Sequence, residues 1–374
     1  MAKMTAVVVG GGVMGLAAGL ALADRGTDVT VLERYTVGHE WASSHGLNRA
    51  IRHEYGPLDI YSQMVARSLI LWDELARETD RRLYSETGVL TLGREDDGHT
   101  LPGYDVMRAM GLPVERLTPA ECQKRFPQFV PDGYTAITWN PVGGMLFASE
   151  CLAALADALR ARGGTIREGA RVARVEPSST GGVVTLEDGT RITADRVIVA
   201  AGPWVHDVLP ELWLPVQSTR QQVLYVSDLP PEQFAPERFP VFLAEMDCYG
   251  FPQAGPGWLK VGSHHFGETV DPNQPYETDA REVEYVRDFL RRVIPAVAEG
   301  VIAGVDKCMY DVTPDEDFIL DFYPDSEGVI VASGFSGHGF KFGILIGRLL
   351  AALATGHTPE FPLDRFHLAR FANG

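Results

Sequence analysis

The sequence predicts an α/β fold in two parts: a parallel sheet that opens on a βαβ unit, and a second domain on a mainly antiparallel sheet. Three observations carry this. The first 33 residues run strand, glycine loop, helix, strand; later strands lead into small-residue loops suited to the same sheet; and the stretches between alternate as paired strands do. With 374 residues, the chain exceeds one ordinary core and suits two domains of about 100 to 200 residues each. Hydrophobic residues at 45% and charged residues at 22% give a globular composition with enough apolar surface for real cores.

Residues 5–9 (TAVVV) read as a buried parallel strand. Gly10-Gly11-Gly12-Val13-Met14-Gly15 follows at once with G-x-G-x-x-G spacing, and a helix should start there, rich in Ala and Leu over 16–24 and ended by Gly26. Residues 28–32 (DVTVL) form the next strand, terminated by Glu33. One glycine of such a Rossmann-type unit permits the tight turn, one lets the backbone approach a pyrophosphate, and one lets helix and strand pack closely. The phosphates rest on the helix N-terminus, where free N–H groups and the helix dipole favour negative charge. Glu33, 21 residues after Gly12, suits a carboxylate accepting hydrogen bonds from ribose hydroxyls and disfavours a 2′-phosphate.

Two later segments favour FAD over a nicotinamide cofactor. After an acidic hairpin at 183–192, the strand in 196–204 (RVIVAAGPW) runs into Ala-Gly-Pro, where Gly202 permits a close approach to the cofactor. A strand at 329–332 (VIVA) leads into Gly334-Phe335-Ser336-Gly337-His338-Gly339-Phe340-Lys341 and then a helical pattern over 342–354. A helix N-terminus there suits the pyrimidine edge of an isoalloxazine, where reduced flavin concentrates negative charge. Segments 1–83, 145–214 and 312–374 should build the FAD domain, and 84–144 with 215–311 the substrate domain. In the latter, 221–226, 250–251 and 258–263 are strand-like and 278–293 is an amphipathic helix.

The 33 Lys and Arg against 50 Asp and Glu leave a formal charge of −17, which repels nucleic acid and anionic membranes. An anionic substrate therefore needs local cations. Cys122, Cys151, Cys248 and Cys308 show no CxxC spacing, so neither a disulfide framework nor a zinc site is expected, and a reducing, cytoplasmic setting fits. The apolar run 7–22 is broken by glycines and reads as structure rather than a signal peptide. No stretch approaches the roughly 20 apolar residues of a membrane span.

With these segments placed, the sequence resembles monomeric sarcosine oxidase and its relatives in the D-amino-acid-oxidase group, over nearly the whole chain. The specific matches are Ser44-His45-Gly46 with Arg49 and Arg52, Tyr249-Gly250-Phe251-Pro252, Leu259-Lys260-Val261-Gly262, Lys307-Cys308-Met309-Tyr310 with Thr313-Pro314-Asp315-Glu316, and 334–342. N-methyltryptophan oxidase, pipecolate oxidase and bacterial fructosyl-amino-acid oxidases share much of this pattern.

The resemblance implies FAD held through an 8α-thioether to Cys308, and a substrate carboxylate clamped by Arg52 and Lys341, a pairing that suits an amino acid. It implies Arg49 and His45 over one face of the flavin, and Lys260 near flavin N5 as the cation for oxygen reduction. Tyr249, Tyr310 and His264 line the substrate cavity. Val13, Met14, Arg34, Ser44, Val172, Gly337, Gly339 and Lys341 complete the cofactor contacts. The implied reaction takes a small N-substituted amino acid such as sarcosine, transfers a hydride equivalent to the flavin, hydrolyses the imine and returns electrons to oxygen as hydrogen peroxide. The implied protein is a monomer that needs no metal.

From residue type alone, other readings stand beside these. Leu259-Lys260-Val261 alternates, which would place the lysine charge in water. A lone cysteine is ordinarily a small buried hydrophobe, the reading kept for Cys122, Cys151 and Cys248. Two further readings stay open: transfer of the flavin electrons to a protein or quinone, and an FAD-binding subunit without catalysis. Two positions depart from the family pattern: Ser44 where His is frequent, and Ser263 where bulkier residues occur. Both are expected to open space around the substrate pocket.

Overall fold

The computed structural model describes residues 3–178, 181–245 and 247–372. Its first sheet has six strands in the order Ile319–Phe322, Val329–Ser333, Arg196–Val199, Thr5–Val9, Asp28–Leu32, Thr165–Arg167. All pairs are parallel except Ile319–Phe322 with Val329–Ser333, at one edge. Alternate residues of the first strand serve opposite faces. Ala6 and Val8 pack towards the helices, while Val7 and Val9 pack beneath a three-stranded antiparallel sheet that contains the hairpin read at 183–192. Both faces are covered, which is why the strand reads as an unbroken apolar run.

The helix Val13–Asp24 is buried over almost its whole length, beneath helices Gly343–Ala354 and Ala148–Ala161. Small residues permit that depth. A Cβ on Gly15 would stand 1.8 Å from the carbonyl oxygen of Gly10, and one on Gly347 2.3 Å from the backbone of Ala17. The third glycine of the motif thus serves packing, as its spacing predicts.

The second sheet has eight strands, ordered Val301–Val312, Gln217–Ser227, Trp258–Ser263, Cys248–Ala254, Val241–Ala244, Val89–Gly93, Ala136–Asn140, Glu115–Leu117. One pair, Val241–Ala244 with Val89–Gly93, is parallel and the others are antiparallel. Leu224, Val226, Leu259 and Val261 face the amphipathic helix Ala280–Val293, which buries Val286, Phe289, Leu290 and Val293 against them. That helix begins two residues after its sequence pattern because Asp279 caps it, accepting the N–H of Arg281 at 2.9 Å. A small antiparallel sheet of Asn48–Ile51, Gly144–Phe147 and Tyr84–Glu86 carries Arg49. No helix among the described residues is long and apolar enough to cross a membrane.

Candidate active site

A cavity of about 520 Å³ runs along the carboxyl ends of the central parallel strands. One end is bounded by Glu33 and Arg34, the middle by Gly10, Gly12, Val13 and Met14, and the far end by Arg49, Tyr310, Gly337 and Gly339. Ser44, Val172 and Gly202 complete its walls. Gly12 caps the helix without a side-chain hydrogen bond, and the backbone of the glycine turn forms the cavity floor. Ser44 Oγ accepts the Val13 N–H at 3.1 Å. Glu33 is held in place by the N–H groups of Gly11 and Tyr35, each at 2.8 Å. Burial raises its pKa, but His39 and these two N–H groups outweigh that and hold the carboxyl below its ordinary value. Arg34 lies over the Trp204 ring at 4.6 Å, closing the outer end. Gly202 has φ +53 and open space where a Cβ would point, so positive φ, rather than contact with other protein atoms, requires glycine there.

The donor set fits FAD. A bare helix N-terminus lies at mid-cavity, a fixed carboxylate at the ribose end, and the 3-10 turn Phe340–Phe342 opening the last helix at the other end. Asp311 holds the last glycine loop, accepting the Gly334 N–H at 2.8 Å while its carbonyl accepts that of Ser336. Burial pushes its carboxyl up to about 6.

A second, smaller cavity of about 70 Å³ shares Arg49, Tyr310, Gly337 and Phe340 with the first. His45, Arg52, Tyr249, Lys260, His264, Cys308 and Lys341 line it. Every predicted site residue thus lines one cavity or the other except Gly15, which packs helix against strand. Lys341 and Cys308, expected among the cofactor contacts, line the smaller cavity and not the nucleotide trough.

Arg52, Lys260 and Lys341 are 5%, 3% and 4% exposed, and Arg49 is half-buried; none forms an ion pair among the described residues. Lys341 Nζ donates to Tyr55 Oη at 2.8 Å and to the His338 carbonyl at 2.7 Å. Lys260 Nζ donates to the Asn48 carbonyl at 3.0 Å and lies over the Phe251 ring. Burial pushes both ammonium groups well down, and neighbouring arginines add to it, Arg52 for Lys341 and Arg49 for Lys260. An anion sharing the cavity is what would hold their charge. Arg49 is fixed by the carbonyls of Ser43, Asn48 and His45, and His45 Nδ1 lies 3.1 Å from the Gly38 carbonyl. Burial lowers His264 to about 3 and raises Tyr249 to about 12, so at neutral pH both stand uncharged. Burial also raises the Cys308 thiol, although Arg49 and Lys260 draw it down.

In Trp258–Ser263, Leu259 and Val261 face the helix, so Lys260 faces the cavity, as the resemblance implied, and not water. The expectation that two serines open space is corrected. By the same alternation Ser263 turns from the pocket, donating to Glu282 of the helix Ala280–Val293, and Ser44 lies on the nucleotide cavity. Neither serine enlarges the substrate cavity. Cys122, Cys151 and Cys248 are buried away from both cavities, as small hydrophobes should be. Tyr55, Glu54 and His338 went unread. Only proximity to Arg52 or membership of the last glycine loop pointed at them, because Tyr55 meets His338 and Lys341 across some 280 residues of chain and Glu54 meets Asn140 across 86.

A dinucleotide trough ending in a cation-lined cavity defines a flavin-dependent oxidoreductase. The family model of FAD dependent oxidoreductases, DAO, matches residues 5–353, and the chain belongs to that family, with FAD as cofactor. It is 34% identical over 373 residues, and 98% of each chain, to N-methyl-L-tryptophan oxidase of Yersinia pestis (strain Pestoides F), and equally to that of Yersinia pseudotuberculosis serotype O:1b (strain IP 31758). Among solved structures it is similar to NikD, an unusual amino acid oxidase essential for nikkomycin biosynthesis, with TM-score 0.83, 26% identity and 98% of each chain covered. L-proline dehydrogenase from P. horikoshii shares the fold, with TM-score 0.87, 23% identity and coverage of 100% and 98%.

Proposed function

We propose that this enzyme oxidises a small secondary amino acid, with sarcosine as the model substrate, and passes the electrons to oxygen with release of hydrogen peroxide. The observation that carries the reading is the gathering of Arg49, Arg52, Lys260 and Lys341 around one small cavity, without ion-pair partners among the described residues, in a chain of net charge −17. Desolvated cations demand anions, and a substrate carboxylate beside a cofactor that turns negative on reduction supplies them.

Arg52 and Lys341 bind and orient the carboxylate, with Tyr55 Oη and the His338 carbonyl fixing the ammonium. The same positive field disfavours an ammonium on the substrate, so the amine binds in the neutral form that oxidation requires. Tyr249, Tyr310 and neutral His264 wall the amine and its N-alkyl group away from bulk water. Bound FAD supplies the two-electron acceptor for the C–H bond beside the nitrogen. Cys308, in the smaller cavity and two residues from the shared Tyr310, is the residue for a covalent link to it, and Lys260 is the fixed cation for oxygen reduction. The discontinuous FAD and substrate domains read from the sequence are retained in this proposal.

A second reading, N-methyl-L-tryptophan as substrate, is favoured by the names of the 34% identical Yersinia relatives; the 70 Å³ cavity favours the smaller substrate. Purified holoenzyme in air, given N-methyl, cyclic and fructosyl amino acids, should release peroxide most efficiently, by kcat/KM, from sarcosine. A higher kcat/KM for N-methyl-L-tryptophan would move the assignment to the second reading. Substrate-dependent bleaching of the flavin without peroxide would point to another electron acceptor.

A further inference from the structure

The smaller cavity has a second neighbour besides the nucleotide trough. A cleft of about 530 Å³ lies against it, and His45, Gly46, Tyr225 and Asp306 line both. Ser149 and Ala303 on the cleft wall are exposed, so it opens to solvent. The rest of the wall is mostly apolar, with Val37, Leu47, Leu152, Trp258 and Val305. Arg52, Lys341 and His264 line the cavity but not the cleft.

Strand pairing puts the cleft on the Lys260 side of the cavity. Lys260 stands opposite Tyr225, and Tyr225 opposite Gly304, so the three form one row across the sheet. The row lies on the face turned away from the helix Ala280–Val293, because Leu224, Val226, Leu259 and Val261 occupy the other face. Gly304 is two strand spacings from Lys260, about 10 Å. Between them Tyr225 is 3% exposed and fixed in place: its hydroxyl donates to Asp306 at 2.9 Å, and its ring packs on Trp258 with centroids 5.7 Å apart. A Cβ on Gly304 would meet no atom within 4 Å, so the row ends in open space.

The lining selects what can cross this partition. Among the described residues no lysine or arginine borders the cleft, and its one acidic side chain, Asp306, stands on the partition itself. A substrate carboxylate would have to leave water for an apolar, cation-free passage, which is costly. Molecular oxygen is apolar and uncharged, so the same passage favours it, and it is small enough to slip past side chains as they change rotamer. We infer that this cleft is a separate entrance by which oxygen reaches Lys260 without passing the carboxylate clamp. The inference rests on oxygen being the electron acceptor under the proposed function. There oxygen takes two electrons and one proton from the reduced flavin and one proton from solvent, and leaves as hydrogen peroxide. The clamp can stay occupied meanwhile.

The test follows reoxidation by oxygen in stopped flow, starting from holoenzyme reduced with stoichiometric dithionite so that it does not depend on which amino acid is the substrate. Gly304→Phe fills the cleft, whereas Gly304→Ala leaves it open. The oxygen rate should fall at least about tenfold in Gly304→Phe and stay within about twofold of wild type in Gly304→Ala. Propionate affinity, read from the flavin spectrum, should stay within about twofold in both variants. An oxygen rate that ignores the plug overturns the entrance, and so does a plug that weakens propionate as much as it slows oxygen. A second measurement needs no variant and decides if Gly304→Phe does not fold. Reduced wild type saturated with propionate should react with oxygen within about twofold of its unliganded rate. Propionate that abolishes the reaction puts the oxygen route through the clamp and overturns the inference. Reduced wild type that oxygen does not reoxidise at all overturns oxygen as the acceptor, a failure distinct from that of the entrance.

Discussion

Arg52 and Lys341 reach one cavity from opposite ends of the chain, and each is held by groups that leave donors free. Losing a desolvated, charge-assisted contact costs about 2 to 5 kcal/mol, so Arg52→Ala should weaken carboxylate inhibitors by a corresponding factor. Because the contact exists before and during the reaction, KM should rise at least as clearly as kcat falls; unchanged inhibitor affinity would reject the clamp. Lys260 predicts a different split. Its Nζ donates to the Asn48 carbonyl, and no carboxylate among the described residues forms an ion pair with it. In Lys260→Met the length stays and the charge goes. Anaerobic reduction by substrate should change modestly, while reoxidation by oxygen should slow by orders of magnitude in stopped flow. Reoxidation at the wild-type rate would move oxygen activation to another group, Arg49 first. At this scale motifs were legible and orientation was not. Lys260 and Ser263 lie three residues apart on one strand; the resemblance put both at the pocket, and only the structure showed that Ser263 faces the helix instead. Tyr55 carried no motif, since what matters about it is the hydrogen bond it accepts from Lys341, 286 residues away.

Elements were read better than side chains because periodicity is a property of a run of residues. Thr5–Val9, Asp28–Leu32 and Trp258–Ser263 fall where the apolar patterns placed them. The differences occur at ends. The last long helix starts at Gly343 because Phe340–Phe342 forms a tighter 3-10 turn first, and the helix read from Thr278 starts at Ala280 because Asp279 caps it. The cap gives a stability prediction. Asp279 also meets Arg220 at 2.9 Å, while Gln222 exchanges hydrogen bonds with its backbone, so the residue joins the helix start to the strand Gln217–Ser227. Asp279→Ala should cost about 1 kcal/mol from the cap, with the half-buried ion pair adding to it. Denaturant unfolding of the holoenzyme would measure the loss. A change below about 0.3 kcal/mol would mean that backbone contacts alone fix this helix start.

The whole molecule joins segments that the sequence separates widely. The cofactor cavity takes walls from residues 9–14, 170–173, 200–204 and 335–340, so its cofactor should act as a structural cross-brace. Sequence order made the βαβ unit and the late glycine loop legible as nucleotide elements; that they close on a common trough is a tertiary fact no local pattern encodes. A covalent link through Cys308 makes that brace permanent, whereas a dissociable cofactor stabilises by mass action, about 2.7 kcal/mol at a hundredfold excess over Kd. The two cases separate in a melting experiment. Wild type with Cys308 linked should show a Tm independent of added FAD and should keep its yellow colour in an acid-precipitated pellet. Cys308→Ala should give a colourless pellet and a Tm that climbs with FAD, by about 3 °C at a hundredfold excess over Kd. A wild-type pellet that releases all its flavin, together with an FAD-dependent wild-type Tm, would reject the covalent link while leaving the cavity as a reversible FAD site.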